Sequence, residues 1–203
     1  MERNIIKILF ILIIFAICPL GMANYNDVYI ADISYDWINK TEVEKEAIIS
    51  EVHDTIFENP IEKQDDFKSQ FKDKLKDKNY IENYYAASAG YKEYKGNYIS
   101  AFYYGKMKSI YMYALQDKKD VSKAYYYDAL GNLKYVDFVE GEFPDYPYYS
   151  IQYRISGKPV SAIYTISKDC QYLFKPNGEF EGIWYKHNLY NKMNKIILKR
   201  TTY

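Results

Sequence analysis

Cys170 and His187 are the first pair whose residue types could do chemistry: an imidazole within reach of a thiol can draw off its proton and leave a nucleophilic thiolate. Cys170, however, alternates with Tyr172 and Phe174 in a run that reads as a strand. That spacing puts the thiol on an apolar sheet face, where a buried cysteine is usually inert. Glu179 and Glu181 stand two apart beside a turn, and paired carboxylates can hydrolyse glycosides if a cleft holds them at a set separation. Exposed charges at a hairpin end are the commoner use of such a pair. Ala86-Ala87-Ser88-Ala89-Gly90 has the outline of a relaxed nucleophile elbow. A helix end closed by Gly90 accounts for it better, because short aromatic runs follow where an α/β domain would be needed.

Metal and cofactor chemistry find no motif. His53 and His187 stand alone, and outside the N-terminal segment Cys170 is the one cysteine, so no zinc-ligand spacing is present and no cofactor is expected. Tyr146, Tyr148 and Tyr149 lie in a proline-flanked stretch, Pro144 to Tyr149, among 26 tyrosines in the chain. Tyrosine offers a rigid amphipathic surface for sugar rings or peptide side chains, so these three are the expected ligand-binding residues. Asn39-Lys40-Thr41 is a glycosylation sequon, but Thr41 is better explained as a helix cap.

The elements that must position these residues begin with an export signal. Arg3 and Lys7 precede an uncharged apolar run, and Gly21-Met22-Ala23 supplies small residues for cleavage between Ala23 and Asn24. The apolar block from Ile8 to Ile17 is shorter than the roughly 20 residues that span a bilayer. Ile17 before Cys18 and Pro19 after it do not fit a lipidation site. The expected protein is therefore secreted or periplasmic, without stable membrane insertion after cleavage. Cleavage removes two of the 27 basic and one of the 27 acidic residues, so the mature chain is nearly neutral. That excludes the basic footprint of a nucleic-acid binder, and a lone cysteine excludes an internal disulfide.

Residues 24–96 read as mainly helical. Thr41 and Glu44 form a capping box, and Val43, Ala47, Ile48, Val52 and Ile56 mark one apolar face. A second helix is expected from Asp65 or Asp66, carrying Phe67, Phe71 and Leu75. Residues 97–203 change to aromatic runs broken by glycine. Gly105, Gly131, Gly157 and Gly178 recur at intervals of 26, 26 and 21 residues, the mark of an internal repeat. Each unit reads as strand, turn, strand, with Asn177-Gly178 the clearest hairpin turn. After it, Phe180, Gly182 and Trp184 alternate with Glu181, Ile183 and Tyr185.

Two stretches carry a family resemblance. Phe174-Lys175-Pro176-Asn177-Gly178-Glu179-Phe180-Glu181-Gly182-Ile183-Trp184-Tyr185 resembles the bacterial variant of the MORN repeat, and Tyr127-Asp128-Ala129-Leu130-Gly131-Asn132-Leu133 resembles the tyrosine-aspartate repeat of Rhs-type shell proteins. Over about residues 98–190 the resemblance implies a stacked-hairpin sheet used for interaction, with no catalytic residues to carry over.

The expected architecture is α+β: N-terminal helices packed on an antiparallel meander of repeated β-hairpins, forming one compact unit. The expected role is non-catalytic binding of an envelope polysaccharide or a protein partner through the Tyr-rich surface. The alternatives are a secreted hydrolase using Cys170/His187 or Glu179/Glu181, and a structural subunit that self-assembles through its outer strands.

Overall fold

The computed structural model describes residues 40–104, 109–141, 143 and 145–202. The expected signal segment with its cut between Ala23 and Asn24, the first repeat turn at Gly105, and Pro144 all lie outside the described residues. The chain divides into two units, 1–46 and 47–203. Of the first, the described part is the start of helix α1 (Glu42–Ile56). There the capping box forms: the Glu44 N–H donates to Thr41 Oγ1 at 3.2 Å, and the Thr41 N–H donates back to Glu44 Oε2 at 2.6 Å.

The second unit is dominated by strands. They are β1 (Glu93–Tyr94), β2 (Asn97–Tyr104), β3 (Met112–Asp117), β4 (Asp120–Asp128), β5 (Leu133–Glu140) and β6 (Tyr148–Arg154), followed by β7 (Pro159–Ser167), β8 (Cys170–Phe174), β9 (Phe180–Tyr185), β10 (Asn188–Asn191) and β11 (Ile196–Arg200). Every strand pairs antiparallel with its sequence neighbour, except that β11 pairs with β2 and not with β1. Strands β2 to β11 therefore form a closed ten-stranded barrel, with β1 a short flap on β2.

Closure overturns the expected α+β architecture of helices on an open meander. Ten strands curl until the first meets the last, which removes the exposed edges that an open sheet leaves for pairing with other chains. The closing contact aligns Phe102 with Arg200 and Tyr104 with Leu198. It continues past β11, where the Thr201 N–H donates to the Ala101 carbonyl at 2.9 Å and Thr202 Oγ1 donates to the Ile99 carbonyl at 2.9 Å.

The recurring turns have one geometry. In each, the residue at the repeat position has positive φ: Gly131 at 76°, Gly157 at 77° and Gly178 at 83°. Each donates its N–H to the carbonyl three residues earlier, at 2.8, 2.8 and 2.9 Å. Asn194, with φ 57°, makes the same bond to Asn191 at 2.8 Å, so the β10–β11 hairpin is a further copy with asparagine in the glycine place. Asn and Gly are the residues that tolerate this left-handed conformation, which closes a type I turn into the following strand.

Three residues beyond each of these positions the register slips by one, at Lys134, Val160, Glu181 and Ile197. Those bulges exchange the faces of the strands. As a result Phe180 pairs with Phe174, at a ring separation of 5.6 Å, while Gly182 and Trp184 pair with Leu173 and Gln171 on the other face. The simple alternation expected for Phe180, Gly182 and Trp184 is corrected accordingly.

The helical part of this unit wraps the barrel wall. The expected second helix splits into α2 (Phe67–Gln70), a 3₁₀ turn at Lys72–Lys74, and α3 (Tyr80–Ser88). Phe67 is 1% exposed and packs on Phe71, Phe138 and Tyr153 at ring separations of 4.9, 5.7 and 5.5 Å. Phe71 meets Tyr125, and His53 and Phe57 meet Phe174. At Gly157 an added Cβ would stand 1.9 Å from the Gln64 carbonyl oxygen, so the turn itself is part of this contact. α3 ends at Gly90, as its sequence suggests, with the Gly90 N–H donating to the Ala87 carbonyl at 3.1 Å.

Candidate functional site in the barrel lumen

The inward residues divide the lumen in two. Phe102, Tyr126, Ile163 and Trp184 line the cavities on both sides and form a partition. Within it, Phe102 lies 5.6 Å from Tyr126 and 6.0 Å from Trp184, ring centre to ring centre. One chamber, of about 590 Å³, opens toward the β8–β9 and β10–β11 turns and has Arg154, Lys175, Glu179, Glu181 and Lys192 among its lining. The other, of about 470 Å³, opens between Lys92, Glu93, Phe143, Tyr146 and Lys168. It adjoins a deeper cavity of about 160 Å³ that reaches Asp137. These sizes suit small ligands, whose sites are commonly a few hundred Å³.

Arg200 sits where the second chamber meets the partition. Its guanidinium carbon lies 4.7 Å from the Trp184 ring centre. Nε donates to the Lys186 carbonyl at 2.8 Å and Nη1 donates to Gln171 Oε1 at 2.6 Å. Part of the residue faces solvent, but Nη2 is closed off and has no hydrogen-bond partner. Among the described residues no carboxylate forms an ion pair with it. Burial lowers its pKa to about 10, so the group is a cation at neutral pH.

Asp137 faces the same deep cavity and is 4% exposed. Tyr126 Oη donates to its Oδ2 at 2.6 Å, whereas Oδ1 has no hydrogen-bond partner. Burial raises its pKa to about 6, and Tyr126 and Gln152 pull it part of the way back. Polar side chains complete the wall: Gln171 Nε2 donates to Thr165 Oγ1 at 3.1 Å, and Gln116 Nε2 donates to the Val121 carbonyl at 2.7 Å. The arrangement can hold a ligand and orient it by charge.

The residues singled out from the sequence lie at several points of the barrel. Tyr146 and Tyr148 stack at 5.7 Å, and Tyr148 meets Phe143 at 5.2 Å, so both tyrosines line the second chamber. Tyr149 is on the opposite face of β6, beside Glu58 to Glu62. Glu179 and Glu181 both reach the first chamber, but Glu181 does so as a bulge residue. Glu179 is bound by Lys175 at 2.7 Å and Lys192 at 3.7 Å, and the hydrogen bond from Lys175 holds its pKa down. Burial raises that of Glu181.

Cys170 is half-buried opposite Tyr185 at the start of β8, and His187 occupies the β9–β10 turn, its Nδ1 3.0 Å from the Arg200 carbonyl oxygen. That contact fits an N–H donating to the main chain, which commits one ring nitrogen to holding the closing strand. Among the described residues no group of three or more His, Cys, Asp or Glu is placed to hold a metal.

Sequence reasoning passed over Asp137, Arg200, Tyr126 and Gln171. The signal for Asp137 was available: a lone carboxylate inside Tyr135-Val136-Asp137-Phe138-Val139, where a strand with one face in the core has to account for it. Arg200 follows Lys199, and two adjacent cations read as a solvated face. No family model, no curated protein and no solved structure matches the chain. Among the described residues no helix is long and apolar enough to cross a membrane, which says nothing of a β-barrel.

Proposed function

We propose that this protein is a non-catalytic small-molecule binder whose site is the second chamber of the lumen, with Arg200 holding an acidic group of the ligand. The observation that carries the reading is the Arg200 guanidinium, which lines this chamber with no carboxylate paired to it among the described residues. Hydrogen bonds donated to water would leave this charge uncompensated, and buried charges are costly unless paired. An anionic ligand supplies both the acceptor and the charge. Tyr146 and Tyr148, expected from the sequence to bind ligand, stand at the mouth of this chamber. The export expected from residues 1–23 would put the site outside the cytoplasm. Hydrolysis in the first chamber has less support, because Glu179 is engaged by two lysines.

The test uses 8-anilinonaphthalene-1-sulfonate, an anion with an apolar body, titrated by fluorescence. Saturable binding to the native protein is expected, weakened about tenfold or more in Arg200→Met, as the loss of a charge-assisted hydrogen bond would give, and largely kept in Arg200→Lys. Far-UV circular dichroism establishes that each variant is folded. Equal affinity in native protein and folded Arg200→Met would overturn the reading. If Arg200→Met does not fold, the lysine variant decides alongside Gln171→Leu, which removes the support of Nη1 and is expected to weaken binding.

A further inference from the structure

The lumen holds a second buried charge that an anion alone would not answer. Asp137 and Arg200 line the same cavity of about 160 Å³, yet among the described residues they form no ion pair with each other. Each has one polar atom without a partner: Oδ1 on the aspartate and Nη2 on the arginine. Both side chains therefore line a single small space, one of them anionic and the other cationic. Burial opposes both charges, and each is stabilised when an opposite charge comes close.

Between them lie aromatic rings. Phe102, Tyr126, Phe143, Tyr148 and Trp184 all line this cavity. The Trp184 face is taken by Arg200. The other rings carry the negative faces that attract an ammonium group. The cavity is thus dipolar, cationic at Arg200 and anionic at Asp137, with aromatic rings in its wall. A simple carboxylate would satisfy one end and crowd the other with like charge. A simple amine would do the reverse.

From this juxtaposition we infer that the ligand is a small zwitterion, its carboxylate toward the Arg200 guanidinium and its ammonium toward the Asp137 carboxylate. The inference rests on the proposal that the lumen is the binding site and specifies which chemical class enters it. The wider chamber of about 470 Å³, which shares Tyr126, Tyr148, Gln171 and Arg200 with the inner cavity, has room for a side chain beyond the two charged groups.

The experiment compares the standard amino acids with two analogues of each: the acid lacking the amino group and the amine lacking the carboxylate. Thermal-shift measurement ranks them on the intact protein, and isothermal titration gives affinities. At least one amino acid is expected to bind about tenfold or more tighter than both of its analogues, as a second charge-assisted contact would provide. Asp137→Asn, nearly the same in shape, is expected to erase that advantage while leaving the carboxylate analogue's affinity in place.

The inference is overturned if every amino acid binds no better than its deaminated analogue, or if Asp137→Asn leaves the advantage untouched. The two levels fail separately. Carboxylates that bind and depend on Arg200, with zwitterions no better, would sink the second charge and keep the lumenal anion site. Absence of binding by any probe, the sulfonate dye included, would sink both.

Discussion

The layer between the helices and the barrel wall holds a part-buried Tyr–Asp pair, and so does the lumen on the other side of that wall. In the outer layer Tyr113 Oη donates to Asp77 Oδ2 at 2.6 Å; in the lumen Tyr126 Oη donates to Asp137 Oδ2 at the same 2.6 Å. The pairs are completed differently. Asp77 also accepts from Asn83 Nδ2 at 2.8 Å and from the Asn79 N–H at 2.9 Å, so both of its oxygens are used. Asp137 leaves Oδ1 without a partner.

The surroundings repeat the contrast. Outside, Phe67, Phe71, Phe138 and Tyr153 interlock. Inside, charged and polar groups face cavities of several hundred Å³. Stability is concentrated in the layer that is filled and satisfied. The layer that is neither is where binding can take place, because only an incomplete site gains by receiving a ligand.

Phe67→Ala is the strongest way to break this comparison. Removing a fully buried aromatic is expected to cost about 3–5 kcal/mol of unfolding free energy, measured in urea. A loss under about 1 kcal/mol, within the range of ordinary substitutions, would mean that the outer layer is not the main stabilising core.

The turns allow a sharper division. Gly157→Ala and Gly96→Ala both place a side chain at positive φ, 77° and 80°, a strain of roughly 1–2 kcal/mol. Gly157 alone meets the Gln64 carbonyl, at 1.9 Å from an added Cβ, whereas Gly96 has nothing within 4 Å. Gly157→Ala should therefore be the more destabilising by about 1–3 kcal/mol, the usual cost of overpacking. Equal losses would show that the helical layer gives way freely at this turn.

The lumen should show itself through pH. Burial raises the folded-state pKa of Asp137 from 3.8 to about 6. Between those values the folded state binds a proton that the unfolded state has released. The contribution of this group to stability therefore falls as pH rises from about 4 through 6 and stays low above that. Asp137→Asn does not titrate, so its stability relative to the native protein should rise over the same interval. The expected gain at pH 7.5 over pH 4 is on the order of 2–3 kcal/mol. A difference that does not change with pH would mean that Asp137 is already satisfied.

Local structure was the legible part of the sequence. The Thr41–Glu44 box and the helix stop at Gly90 were readable because each is a short-range hydrogen-bond pattern that the residues nearly dictate. The turns at Gly131, Gly157 and Gly178 were readable for the same reason, and Asn194 was missed because the search followed glycine. Closure of the barrel was not legible. Period-two alternation describes a strand equally well in an open or a closed sheet, and nothing in Ile196–Arg200 announces pairing with β2. The bulges at Lys134, Val160, Glu181 and Ile197 also defeat simple alternation, which is why inward and outward residues of β9 were misassigned. Tyr146 and Tyr148 were singled out for their chemistry, but the charges behind them become a site only when the closing strand carries Arg200 into place.

That closing contact has a bearing on how the protein is made. Ser100 donates to the carbonyl of Thr202, 102 residues further along the chain, and Arg200 stands opposite Phe102 on the same seam. Hairpins between neighbouring strands can form as the chain emerges, but this pairing has to wait until Ile196–Arg200 has been made and for the slow search that distant contacts require. Arg200 is on the strand that makes it. A chain cut before Ile196 would lose the seam and the Arg200 cation together, and the barrel could not close.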